Sequence, residues 1–216
     1  MLKDVLEIVV GTIQTGKLDG AGTLALSDKS MNFYAGAAVH DGKAVEKLVK
    51  KLIDLYGAEL REKKLDMAKH NGVTLHQIGL PMPKDEGAEV LGDPLLVTVG
   101  IADKAFYIGA GKQGLQSVKS AIDASAASGE TKLDPASLNV AMTAVSAFAA
   151  SVDKNGQGDA MVEAMQNAAG KDHILSTVKE IPNGSQLRIQ IDEAVLRMFG
   201  ILGQRANGPR GRNPAL

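Results

Sequence analysis

Residues 95–123 read LLVTVGIADKAFYIGAGKQGLQSVKSAID, and this stretch decides the fold. Leu95 to Ile101 is a run rich in β-branched residues, Ala102-Asp103-Lys104 supplies a turn, and Ala105 to Ala110 is a second run. Two strands joined so tightly must be antiparallel. Leu115, Val118 and Ile122 then recur at the three- and four-residue spacing of one helical face. The unit is therefore a hairpin followed at once by an amphipathic helix.

The same order appears on both sides of this stretch. Upstream, Thr23 to Ser27, the turn Asp28-Lys29-Ser30 and Met31 to Val39 form a hairpin. Asp41 stands at the N-cap of a helix whose stripe is Val45, Leu48, Val49, Leu52 and Tyr56. Downstream, Ile174 to Ile181, the turn Pro182-Asn183-Gly184 and Leu187 to Ile191 precede a helix capped by Asp192, with Val195, Leu196, Phe199 and Leu202 inward. An opening helix is legible from Leu2, Val5, Leu6, Val9 and Ile13. Between the units, a polar helical stretch ends near His70 and Val73 to Leu80 forms a strand. Leu138, Met142, Val145, Phe148 and Val152 read as a helix behind Asp134-Pro135, with a short strand over Leu138 to Met142 as the alternative.

These elements predict a single α+β domain over residues 1–203, with three hairpin-helix repeats. The hairpins join one antiparallel sheet whose helices pack mainly on one face. Gln204 to Leu216, QRANGPRGRNPAL, reads as a flexible tail.

The segments FYAGAAVHDGKAVEKLVKKL, LGDPLLVTVGIADKAFYIGAGKQGLQSVKSAID and IPNGSQLRIQIDEAVLRMFGIL together resemble bacterial envelope or secreted proteins of unknown function assembled from such repeats. The resemblance covers most of the chain. It implies an extracytoplasmic setting and a longer parent chain, and brings no activity or site residues with it.

Composition narrows the chemistry. The 24 basic and 25 acidic side chains leave a formal charge of -1, so no global field draws the chain to nucleic acid or anionic lipid. With no Cys there is no disulfide, thiolate metal site or Cys nucleophile. Asp4 and Glu7 break the pattern of a signal peptide, and no run approaches the ~20 apolar residues of a membrane span.

Two motifs imitate ligand sites. Gly109, Gly111 and Gly114 have the G-x-G-x-x-G spacing, yet the preceding strand is the second arm of a hairpin and no strand follows to deliver an acid to a ribose. Small residues at a tight strand-to-helix joint explain them, so no cofactor is expected. Asp153, Asn155, Gln157 and Asp159 occupy the first, third, fifth and seventh positions of a calcium loop, with Gly158 at the sixth. The twelfth position is Ala164, and Glu163 stands one place early. The four His residues, His40, His70, His76 and His173, lack the spacing of a zinc site.

What remains is a surface. If Leu24, Leu26, Phe33, Val97, Phe106, Ile108, Leu187 and Ile189 face the core, alternation sends Ser27, Asn32, Tyr34, Tyr107, Arg188 and Gln190 outward, joined by His76. The expected function is a noncatalytic binding or structural module, one portion of a larger bacterial protein, with Tyr34, Tyr107, His76, Arg188 and Gln190 on an open sheet face. The partner is a protein, a missing segment of the same chain, or a second protomer. The alternatives are a hydrolase-type enzyme that brings His76 or His40 to a distant acid, and a calcium-dependent structural module.

Overall fold

The structure, a computed structural model, describes residues 1–84, 86–128, 134–153, 156–166 and 168–207. The chain divides into two units, Met1–Leu26 with Ser30–Glu130, and Ser27–Lys29 with Thr131–Leu216. The fold class is α+β, and every strand pairing given by register is antiparallel. The expected single sheet is replaced by two, one of six strands and one of three.

The first unit contains α1 (Leu2–Gln14), β1 (Gly20–Ser27), β2 (Ser30–Ala38), α2 (Gly42–Leu55), β3 (Glu62–His70), β4 (Val73–Leu80), α3 (Glu86–Leu91), β5 (Leu95–Ile101), β6 (Ala105–Ala110) and α4 (Gly114–Ser128). Its strands run β1-β2-β6-β5-β4-β3 across the sheet. Asp41 caps α2 as expected, its carboxylate accepting from the N–H groups of Lys43 at 2.9 Å and Ala44 at 3.2 Å. Residues 62–70 are a strand and not the polar helix expected. The turn that pairs this strand to β4 is Asn71-Gly72, both at positive φ, a strong local hairpin signal. That turn and the edge position outweigh the helix propensity of Glu62, Lys63, Lys64, Leu65 and Met67.

Directly opposed residues in an antiparallel pair share a face, so the register sorts the core. Tyr107 lies opposite Gly36 and Gly100, and Gly100 opposite Leu75. On that face Val73, Leu75 and Tyr107 pack against Val118 and Ile122 of α4. On the other face Val99 and Ile101 pack against Val45 of α2 and Ile8 of α1. The large sheet is thus covered from both sides, not mainly from one.

The second unit contains β7 (Ala136–Ala141), α5 (Met142–Val152), α6 (Gln157–Met165), β8 (His173–Ile181), β9 (Gly184–Ile191) and α7 (Glu193–Asn207). The segment read as a helix from Leu138 is a strand that passes directly into a helix at Met142. Its strands run β7-β8-β9. Met142, Met165, Val195 and Met198 form the core, with Val140 and Ile174 packed against it. Most of the tail expected over 204–216 lies outside the described residues, although α7 extends through Asn207.

Candidate functional site

The tyrosines expected on an open face do share a face, since Tyr34 lies opposite Gly109 and Tyr107 opposite Gly36. That face is the one α4 covers, so the proposed tyrosine platform is corrected. Tyr107 is 8% exposed and belongs to the core, while Tyr34 is half-buried. Asn32 is buried beside them, its side-chain oxygen accepting from the N–H of Gln113 at 2.7 Å. Leu24 and Phe33, expected inside, are exposed. Alternation separated Asn32, Tyr34 and Tyr107 from Leu24 and Phe33 correctly but could not say how deeply packing would bury either set.

His76 is on the opposite face from Tyr107, because it lies opposite Val99 and Val99 opposite Ile108. It is 1% exposed and cannot join any tyrosine surface. Its surroundings are polar all the same. The register between β3 and β4 slips between Lys64 and Ala68, leaving Leu65, Asp66 and Met67 opposite His76 alone. This bulge holds Asp66 at φ 49 and aims its N–H at His76 Nδ1, 3.1 Å away. A neutral ring that accepts at Nδ1 carries its proton on Nε2, and that buried nitrogen has no partner among the described residues. Burial pushes the imidazole below its usual pKa range, with Asp66 opposing, Lys50 reinforcing and Glu46 opposing.

Glu46, Asp66 and His76 place one ligating atom each within 4.8 Å of one another, a spacing suited to a metal ion. One positive charge already bridges the two carboxylates. Lys50 stands 2.7 Å from Glu46 and 3.2 Å from Asp66, and its ammonium is held above the usual lysine range, first by Glu46 and then by Asp66. Nδ1 is meanwhile engaged by a backbone N–H. The cluster reads as two carboxylates bridged by one ammonium beside a sealed imidazole. His76 does meet the acids that a hydrolase reading asks for, but its ring is out of reach of substrate.

The glycine motif has steric causes. A Cβ on Gly109 would stand 2.6 Å from both Gly114 O and Val118 Cγ2, and one on Gly111 2.5 Å from Met31 O at φ +108. The glycines let α4 press on β6, as expected of a strand-to-helix joint. In the calcium look-alike, Asp153 accepts from the N–H of Gly158 at 2.8 Å, and Asp159 is exposed. Lys154 and Asn155 lie outside the described residues, as does the side chain of Gln157.

Arg188 and Gln190 are exposed on the small sheet, opposite Thr177 and Leu175. Leu187 and Ile189, expected inside, are on the other face of that sheet and each is 61% exposed. Leu138, Leu187 and Ile189 share the face of Val140 and Ile174 against which the helices of the second unit pack, yet they remain exposed. Asp172, Asp192 and His173 form a group that lone-residue reading missed. Asp172 accepts from the N–H of Thr143 at 3.0 Å and so caps α5, which has no cap of its own at Ala141. Asp192 stands before α7 as expected, its backbone carbonyl accepting from the N–H groups of Val195 at 3.1 Å and Leu196 at 3.3 Å, while its carboxylate accepts from the N–H of His173 at 3.0 Å.

Two apolar features of the first unit stand out. An apolar cleft of about 340 Å³ opens between the end of α2 and β4, walled by Leu52, Tyr56, Leu60, Ile78 and Leu80, with Glu59 at its rim. Along α1, the residues whose spacing announced the helix face solvent: Leu2, Val5, Leu6, Val9 and Ile13 are 39 to 75% exposed, and Val10 joins them at 48%. The buried side holds Ile8 and Thr12. Gly11 sits there against the His40 ring, where a Cβ would come within 2.5 Å, and Thr12 Oγ1 accepts from the N–H of His40 at 3.1 Å. Sequence periodicity found the stripe, but a stripe of this kind is ordinarily read as the core face. Among the described residues no helix is long and apolar enough to cross a membrane. No family model, curated protein or solved structure matches the chain.

Proposed function

We propose that the chain is a noncatalytic binding module, one portion of a larger bacterial protein, and that α1 is its partner surface in place of the open sheet face first expected. The observation that carries this reading is the outward stripe Leu2, Val5, Leu6, Val9, Val10 and Ile13. A helix turns apolar residues away from its own domain at a cost in hydration, and contiguous apolar surface of this extent marks interaction sites. The bridging of Glu46 and Asp66 by Lys50 supports a structural role for the best-assembled titratable cluster, as does the sealed imidazole.

The test is a photo-reactive amino acid at Val9 in cells producing the chain. The reading expects a covalent adduct on irradiation, lost when Leu6→Lys is added. No adduct from Val9, or one that Leu6→Lys leaves unchanged, overturns it.

A further inference from the structure

We propose that the stripe of α1 and the outer edge of β1 together form a two-fold interface with a second copy of this chain. This rests on the reading of α1 as the partner surface and names the partner.

The two edges of the large sheet are built differently. β3 carries Glu62, Lys63, Lys64 and Lys69, and its bulge at Leu65 to Met67 interrupts the ladder. Charge and a bulge are the usual devices that prevent another strand from adding to an edge. β1, at the other edge, reads GAGTLALS, with no charge, no Pro and near-continuous exposure. It presents a row of backbone groups open to a further strand. Antiparallel pairing of β1 with its own copy sets no like charges against each other.

The helix and this edge are neighbours. Only residues 15–19 separate the end of α1 from the start of β1. A Cβ on Gly20 would meet Ala37 Cβ at 3.4 Å and one on Gly22 would meet Ala35 Cβ at 3.3 Å. Gly20, Gly22 and Leu24 therefore share the face of Phe33, Ala35 and Ala37. Ala35 lies opposite Ile108 and Ile108 opposite Val99, which places this face on the side where Ile8 and Val45 pack. Leu24 and Phe33 are exposed on it.

The area suits a dimer. From their fractional exposures the six stripe residues present on the order of 550 Å² of accessible surface, and Leu18, Leu24 and Phe33 bring the total to about 900 Å². A stable interface buries about 800 Å² on each partner. A two-fold axis perpendicular to α1 sets the two helices antiparallel, so each positive N-terminus meets the negative C-terminus of the other. The polar part of α1 carries Lys3, Asp4 and Glu7, which lacks the basic character of helices that lie on anionic membranes.

Analytical ultracentrifugation of the full chain tests the proposal. A species at twice the 22.5 kDa chain mass is expected at micromolar concentration. Leu6→Lys with Val9→Lys in α1, and separately Leu24→Lys in β1, should each weaken the dimer at least tenfold, with circular dichroism and melting unchanged. Leu187→Lys in the second unit should leave the mass alone. A chain that stays at 22.5 kDa, or a dimer indifferent to both α1 and β1 variants, overturns the proposal. A purified monomer whose Val9 adduct in cells has another mass overturns the second copy and keeps the binding reading, whereas a monomer with no adduct overturns both. Flotation of the monomer with phosphatidylcholine-phosphatidylglycerol vesicles, lost in the α1 variant, also overturns the second copy.

Discussion

The backbone N–H of Asp66 donates to Nδ1 of His76 across 3.1 Å, so a left-handed residue on an edge strand sets the tautomer of an imidazole that is 1% exposed. The side chain of the same aspartate takes part of the Lys50 ammonium. One bulge thereby joins β3, β4 and α2 through polar groups.

Because burial lowers the His76 pKa, the folded state keeps the ring neutral while the unfolded chain protonates it near its ordinary value of about 6.5. Stability from this group is complete above that value and falls as pH drops toward the lowered folded pKa, by at most about 1.4 kcal/mol per pH unit. His76→Gln should flatten the fall in melting temperature between about pH 7 and pH 5 relative to the parent. An identical slope in parent and variant would show that the ring takes up its proton in the fold as readily as in the unfolded chain.

Asp172 behaves in the opposite sense. The Thr143 side chain and then its N–H hold the carboxyl below the usual carboxylate range, against the effect of burial. Its contribution is present above the ordinary carboxylate pKa and is lost as pH falls through the lowered folded value. Asp172→Ala should cost about 1 kcal/mol in urea unfolding at neutral pH, and the gap should close as pH falls below the ordinary carboxylate range.

Tyr107 and Tyr34 are predicted to separate. Tyr107→Ala removes a core ring packed with Leu75, Val118 and Ile122 and should destabilise by roughly 3–5 kcal/mol. Tyr34→Ala, at a half-buried position, should lose less than about half of that. Equal small losses in denaturant midpoints would restore the tyrosine surface.

Two positive-φ glycines give a paired test. Gly16 has φ +69 and open space around a Cβ, so Gly16→Ala should cost only the conformational strain, about 1 kcal/mol. At Gly111 the Cβ also meets Met31 O at 2.5 Å, and Gly111→Ala should add roughly 1–3 kcal/mol for overpacking. Calorimetric melting of the two variants measures the difference.

In the second unit, Met198→Ala should cost roughly 2–5 kcal/mol because the side chain is in the core, whereas Leu187→Ala should stay within about 0.5 kcal/mol. Hydrogen exchange of the β8 amides reads both.

Much of what depends on neighbours along the chain was legible beforehand. The hairpin turns at Lys29 and Asn183 both take positive φ, Asp41 caps α2, and the glycines between β6 and α4 serve close approach. Asn71-Gly72 was equally local and was masked by the helix-forming residues before it. The tertiary structure alone decided that the last hairpin enters its own sheet, that helices cover both sides of the large one, and that the α1 stripe faces water. It also brought Glu46 and Asp66 to His76. The physical reason is that periodicity sorts side chains into two sets, while the burial of either set is settled by packing between elements far apart in sequence.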